Sequence, residues 1–371
     1  MKTRPLPRWI AGRIPLLTFL LWASLVAGIL ARPPVAAAET SFAGKTVRIL
    51  VGFSPGGGHD LEARIFARHI RKYLPGNPNV IVQNMPGASG LIMDTYLYNR
   101  AKPDGLTWGI LPTTPFLHAA LGESVNFDLS KMKVIWSVGG YYVDIVRDFV
   151  GAKSGKDLVK VDPSKIAIGG RTSTGSACIK SKLALELMGI KKYKAVCAYR
   201  GSADIRAAME RGEVSYFNAT DAHLKGKGAF VDMHSRGMVI PVWQNGFIDD
   251  NGKVMRASTV DPDIPTLYEV YKQLNGKEPE GLVWDLYKQV SINMSRLVRT
   301  WLVPPGTPNV GILRESIEKM AKDPAFVSNW ERTYGQKLAP LRVPSETAER
   351  LKNKFVKPAT WQENLRKFVR R

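Results

Sequence analysis

The stretch from Lys45 to Gly76 reads KTVRILVGFSPGGGHDLEARIFARHIRKYLPG, and it gathers residues that could do chemistry. Gly56, Gly57 and Gly58 stand in a row, followed by His59 and Asp60. An apolar run leads in and an amphipathic run leads out. That order puts orphan backbone N–H groups and the positive end of a helix dipole beside residues with no side chain to obstruct an anion. Strand, glycine loop and helix together usually bind something small and anionic. Nucleotide, metal, catalytic intermediate and free carboxylate are the candidates.

Spacing separates them. The chain has neither G-x-x-x-x-G-K-S/T nor G-x-G-x-x-G with a later ribose-binding acid, so a nucleotide site fails. His59, His69, His118, His223 and His234 include no i,i+4 pair and no H-E-x-x-H, which argues against a dedicated metal site. His59 reads as a helix-start or cleft-lining residue. For nucleophilic catalysis there is no G-x-S-x-G elbow. GGRTSTGSA offers Thr172, Ser173, Thr174 and Ser176 without a histidine nearby in sequence. A base could still come from elsewhere in the fold, and it would have to reach Ser173, Thr174 or Ser176. These hydroxyls read as part helix cap and part ligand donor. Asp60 suits the helix dipole, and could also order the loop or accept from a ligand hydroxyl or amine. Binding without catalysis, cofactor or metal is the reading that remains.

The elements that would position these residues alternate. TVRILVGF, NVIVQN and TWGILP read as strands, with DLEARIFARHIRKYL and GLIMDTYLYNRAK as helices between them. Strand–helix–strand–helix–strand predicts parallel pairing with right-handed crossovers, and ligands then bind at the carboxyl ends of the strands. The loops SPGGGHD, NMPGASG and PTTPF all fall there. The plan restarts with KIAIGG, then the helix STGSACIKSKLALELMG, the strand YKAVCAY, the helix SADIRAAMERG capped by Ser202 and closed by Gly212, and the strand EVSYFNA. GMVIPVWQN reads as a strand leaving that unit. The last hundred or so residues read as mostly helical, including SNWERTYG and SETAERLKNKF, and Gln244 to Arg299 has poor periodicity. Two α/β units of one plan suggest a cleft that captures a solute by hinge closure.

The 371 residues suit two domains, with an apolar fraction of 44%. The N-terminus carries Lys2, Arg4, Arg8 and Arg13 with no acid, then the 18-residue apolar run Ile14 to Ala31, then VAAAET. That is a signal peptide cut after Ala38, with an uncleaved membrane anchor as the alternative. The chain is basic, at a formal +21, with Lys and Arg spread along it. Export argues against nucleic acid, and the charge gives weak support to an anionic ligand. Cys178 and Cys197 could form a disulfide in an oxidising compartment or stay two buried thiols.

Seven motifs, in order behind the signal peptide, resemble the substrate-binding receptors of tripartite tricarboxylate transporters, the Bug or TctC-like receptors. F-x-P-G-G-x-x-D followed by A-R matches Phe53, Pro55, Gly56, Gly57, Asp60, Ala63 and Arg64. N-x-P-G-A-x-G matches Asn84, Pro86, Gly87, Ala88 and Gly90, and P-D-G matches Pro103 to Gly105. G-x-x-x-x-G-S matches Gly170 to Ser176, and Y-K/R-G matches Tyr199 to Gly201. P-D-x-P-T is Pro262 to Thr266, and P-x-G-T-P is Pro304 to Pro308. Any one alone is weak.

The resemblance implies an α/β, type II periplasmic-binding-protein fold with a cleft between two hinged domains. Domain 1 would comprise residues 44–145 and 260–371, and domain 2 residues 146–259. It implies a monomeric periplasmic receptor that closes on a carboxylate-bearing organic acid, aliphatic or aromatic, and hands it to membrane permease subunits. The runner-up is a receptor that presents its ligand to a membrane signalling partner, and an exported hydrolase comes third. Carried over by position, the ligand set is Phe53, Ser54, Pro55, Gly56, Gly57, Gly58, His59 and Asp60, then Gly87, Ala88, Ser89 and Gly90, with Thr113 and Thr114. The second unit adds Arg171, Thr172, Ser173, Thr174, Gly175 and Ser176, and at a strand end Asn218 and Asp221. His59 and Arg171 stand where the family commonly has a small hydroxyl residue, and Gln244 to Arg299 is longer than in a typical member. Arg171 could grip a second carboxylate bidentately or sit at the cleft rim.

Overall fold

A computed structural model of the chain describes residues 41–121, 125–249, 251–296, 298–338 and 358–370. The expected signal peptide and the SETAERLKNKF helix lie outside them. The chain opens with β1 (Thr46–Val51), α1 (Gly58–Ile70), β2 (Asn79–Asn84), α2 (Leu91–Asn99), β3 (Thr107–Leu111) and α3 (Thr114–Leu121). Two strands with no helix between them follow, β4 (Lys133–Val138) and β5 (Tyr142–Arg147). Alternation then resumes with β6 (Ala167–Gly170), α4 (Ser176–Leu187), β7 (Lys194–Cys197), α5 (Ser202–Glu210), β8 (Tyr216–Thr220) and β9 (Val239–Gln244). The remaining principal elements are α6 (Leu267–Asn275), α7 (Leu282–Arg296), β10 (Arg299–Val303), α8 (Val310–Ala321), α9 (Pro324–Tyr334) and α10 (Ala359–Val369).

These strands make two five-stranded sheets, in the orders β2-β1-β3-β10-β4 and β7-β6-β8-β5-β9. In each, a parallel trio grows from the strand–helix alternation: β1 lies parallel to β2 and β3, and β6 parallel to β7 and β8. Each trio is extended by two antiparallel strands, β10 and β4 in the first sheet, β5 and β9 in the second. The GMVIPVWQN strand therefore does not leave the second unit. It closes that unit's sheet as an edge beside β5.

Burial follows from alternation of side chains across each strand. On β1, Val47, Ile49 and Val51 pack with Ile65, Phe66 and Ile70 of α1, while Leu50 faces Met93 and Leu97 of α2. On β5, Val143 and Ile145 join one cluster and Tyr142 and Val146 another. The described residues of 260–371, expected with the first domain, divide between cores. Leu313, Ile317, Phe326 and Trp330 of α8 and α9 pack on the first sheet. Val270 of α6, Trp284, Tyr287 and Val290 of α7, and Leu365 and Phe368 of α10 instead join the Ile168–Cys178–Tyr216 cluster of the second sheet. Their apolar faces match that core, a fact that chain position alone does not encode. Cys178 of α4 and Cys197 of β7 are disulfide-bonded, with Cα atoms 6.5 Å apart, which settles the choice that spacing left open.

Candidate functional site

Loops at the carboxyl ends of β1, β3, β6 and β8 converge, with the N-termini of α1, α4 and α5, on one cavity of about 30 Å³. That is room for a water or two. The cavity also touches the two places where the chain passes between sheets: Tyr142, which opens β5, and Val298–Arg299, which leads into β10.

The charge of the lining is one-sided. It holds Arg171, Arg299, His59 and His223, and among the described residues no carboxylate. Arg299 is balanced from behind. Its Nε lies 3.2 Å from Oε2 of the buried Glu62, whose Oε1 accepts from Trp301 Nε1 at 2.7 Å. Burial pushes the Glu62 carboxyl up to about 7 despite the opposing pull of Arg299 and Trp301. The Arg299 guanidinium also sits 5.2 Å from the Tyr334 ring, and Tyr334 Oη donates to the Gly58 carbonyl at 3.0 Å. Arg171 is not balanced in this way. Its guanidinium packs 4.5 Å from the Phe53 ring, its Nε is buried without a partner, and no carboxylate among the described residues is within ion-pair reach. Burial lowers its pKa, with Tyr142 opposing.

Both histidines are held neutral. Burial, then Arg299, Arg171 and His223, push His59 well below its ordinary value, against the Val298 carbonyl. Burial, then Arg171 and Arg299, push His223 down to about 3. The His223 tautomer follows from its contacts. Nδ1 accepts from the Thr220 backbone N–H at 3.0 Å, so Nε2 carries the proton and donates to Ser202 Oγ at 3.0 Å. The Ser202 hydroxyl proton is then left to donate elsewhere. Ser202 is consequently not the cap expected of it. It is the first residue of α5, Gly201 occupies the cap position, and the hydroxyl is committed to His223.

Glycine gives the room for close approach where the two halves meet. A Cβ on Gly57 would come within 3.1 Å of Ser202 Oγ, and one on Gly201 within 2.3 Å of Ser54 Oγ. Ser54 Oγ donates to Asp204 Oδ2 at 3.0 Å, and Thr113 Oγ1 to Ser176 Oγ at 2.9 Å, so hydrogen bonds link loops of the first sheet to helix starts of the second.

Of the ligand residues expected from sequence, Phe53, Gly57, Gly58, His59, Thr113, Arg171, Ser176 and Asn218 line the cavity. The others surround it. Pro55 and Gly56 are exposed. Asp60 faces away: its Oδ2 accepts from the Gly56 N–H and Arg64 Nε, both at 2.9 Å, and its Oδ1 from Asn84 at 3.0 Å, which orders the loop. Burial works against the Asp60 charge, but Arg64, Gly56 and Asn84 hold its pKa below the ordinary value. Gly87, Ala88 and Gly90 form the turn carrying Ser89, whose Oγ accepts from Thr114 Oγ1 at 3.3 Å behind the wall. Thr172 and Gly175 shape the turn into α4, where the Gly175 N–H donates to the Thr172 carbonyl at 2.9 Å, and Ser173 is exposed. Asp221 is buried beside a separate cavity with Lys225 and His234. Thr174 Oγ1 lies 3.1 Å from His118 Nε2, so a base does reach one of the three hydroxyls, but neither residue lines the cavity. Among the described residues no cluster of His, Cys, Asp or Glu could hold a metal.

The lining also includes Tyr142, Ser202, His223 and Arg299, which sequence reasoning did not select. Ser202 follows the Tyr199–Gly201 motif directly, a signal that could have found it. Arg299 had none, because it ends the stretch with least periodicity.

No family model matches the chain. The UPF0065 protein in the gbd 5′ region of Cupriavidus necator is 25% identical over 314 residues, covering 83% of this chain and 88% of that protein. A UPF0065 protein of Bordetella pertussis is 27% identical over 300 residues, covering 77% and 80%. The chain resembles both UPF0065 proteins over most of its length. Solved structures agree on the fold. The periplasmic binding protein BugD superposes with a TM-score of 0.66 at 19% identity, over 87% of this chain and 97% of that one. MatC of Rhodopseudomonas palustris with bound malate gives 0.62 at 16%, over 86% and 98%. A TctC solute-binding protein from Polaromonas gives 0.53 at 17%, over 88% and 100%. The chain thus has the two-domain α/β fold of periplasmic binding proteins. None of its described helices is long and apolar enough to cross a membrane.

Proposed function

We propose that this chain is an exported, periplasmic receptor of the Bug type that captures a small carboxylate-bearing organic acid and delivers it to a tripartite-tricarboxylate-type permease. The observation that carries the reading is the cavity wall: Arg171 and Arg299 beside three helix N-termini, with no carboxylate among the described lining residues. Orphan N–H groups and helix dipoles favour an anion, and the planar fork of Arg171 matches a carboxylate. The two guanidiniums pose a cost that a bound acid would offset. MatC, of similar fold, is a malate complex. In this reading the protein works without turnover, as a monomer, by parting and closing of its two sheets. Thr172, Ser173 and Thr174 would contribute only when the turn into α4 moves toward the solute.

Thermal-shift measurement against mono-, di- and tricarboxylates tests it. A true ligand at 100 times its dissociation constant adds about 2.7 kcal/mol to stability. Arg171→Gln should remove that shift while leaving the unliganded transition in place. If no acid raises the transition, or Arg171→Gln responds as the wild type does, the reading fails.

A further inference from the structure

Asn218 is a cavity-lining residue whose polar atoms are accounted for on one side only. It lies on β8 directly opposite Asp144 of β5, and is 2% exposed. Its Nδ2 donates to Asp144 Oδ1 at 3.0 Å and to Asn245 Oδ1 at 3.0 Å, which uses both amide protons. Asp144 is fully buried, and its Oδ2 accepts from Trp243 Nε1 at 2.9 Å and Asn245 Nδ2 at 3.0 Å. These contacts fix which way the Asn218 amide points. Turned over, its carbonyl oxygen would face the Asp144 carboxylate and the Asn245 carbonyl with no proton between them. Asp144 therefore sets the orientation, directly and through Asn245.

The locked amide leaves Asn218 Oδ1 as a buried acceptor with no partner in the protein. Such a group loses its hydration without recompense, and native structures seldom leave one unmatched unless something else supplies the proton. The amide belongs to the wall of the cavity that the two arginines also line. Around that cavity the remaining polar groups are mainly donors: Arg171, Arg299, the Ser202 hydroxyl and the helix N-termini. Apart from Nε2 of the neutral His59, also buried without a partner, Asn218 Oδ1 is a preset acceptor in a donor-rich wall, and such an acceptor discriminates.

We propose that Asn218 Oδ1 selects solutes carrying a hydrogen-bond donor, a hydroxyl or an amino group, in addition to the acid group. This rests on the organic-acid reading above and deepens it: the ligand class becomes hydroxy or amino acids, as against their unsubstituted parents. Asp144, with Asn245, is the positioning group that holds the acceptor in place. A site built to hydrogen-bond a substrate group rejects the analogue lacking it, because the site's own polar atom is then left buried and unpaired.

The test is calorimetric titration of the full chain with matched acids: malate and aspartate against succinate, 2-hydroxyglutarate and glutamate against glutarate, lactate against propionate. In the wild type, the donor-bearing member of whichever set binds should be tighter by roughly 10- to 100-fold, the affinity ratio expected for one buried unpaired acceptor. The hydroxyl and amino arms identify which donor is used. Asn218→Ala should bring the ratio to within about threefold of unity, because the variant has no acceptor to strand. Equal binding of donor-bearing and parent acids by the wild type overturns the proposal, as does an unchanged ratio in a folded Asn218→Ala. If that variant does not fold, the wild-type comparison decides alone. Failure of every acid to bind the wild type would sink the organic-acid reading itself, whereas acids that bind without discrimination would sink only this one.

Discussion

At the level of single residues, the site is set by which polar atoms are already spent. His223 illustrates it: one nitrogen accepts from Thr220 and the other donates to Ser202, so the ring has no place for a second proton. Burial and the nearby arginines hold its pKa at about 3, below the unfolded value near 6.5. The unfolded chain therefore binds the extra proton first, and the stabilising contribution is complete above about 6.5 and is lost as pH falls toward 3. The expected slope from this residue is at most about 1.4 kcal/mol per pH unit in that window. Urea denaturation of wild type and His223→Gln between pH 4 and 7 checks it, since the variant should show the shallower loss. Parallel pH profiles would mean that the imidazole is not held neutral. His223 itself was visible in the sequence only as one of five histidines without metal spacing. Gly57, Gly58 and His59 were legible because glycines before an amphipathic run signal a helix N-terminus. Arg299 was not, since its neighbours Glu62 and Gly58 are brought to it only by the tertiary fold.

Among the elements, the strands that alternate with helices could be read from the chain, as could β9 and the last helices, whereas β4, β5 and β10 were missed. β1 to β3 and β6 to β8 carry the parallel trios, and their loops fall at the cavity. β4, β5 and β10 are antiparallel additions with no crossover helix to announce them. Two of them supply the cavity with Tyr142 and Arg299. The Cys178–Cys197 bond ties the helix that starts at Ser176 to an edge strand, and spans 19 residues of sequence. Closing a loop of that size restricts the unfolded chain by about 3 kcal/mol. Replacing both cysteines by serine should lower stability by an amount of that order, read from denaturant midpoints of oxidised protein. Unchanged midpoints would show that the bond acts on neither the folded nor the unfolded chain. The same pair of substitutions should leave Asn218 and its partners untouched, because β8 lies on the other side of β6 from β7.

At the scale of the whole molecule, two sheets of matching plan hold between them a space of about 30 Å³. The two-unit plan was legible because the strand–helix pattern restarts. The division of the last third between two cores was not, since amphipathic helices carry no mark of which sheet they will cover. Ser54–Asp204 and Thr113–Ser176 bridge the halves beside the cavity, and Gly57 and Gly201 allow the close contact. So small a space has a kinetic consequence. In the proposed role, a solute larger than a water or two enters only once the bridges part, which makes its arrival gated by an event inside the protein rather than by collision alone. Stopped-flow traces at rising solute concentration should approach a plateau, and weakening one bridge with Asp204→Asn should raise it. A rate that climbs in proportion to concentration without limit would mean that the door is already open. The number written into the cavity's volume would then describe one posture of the molecule and not its working cycle.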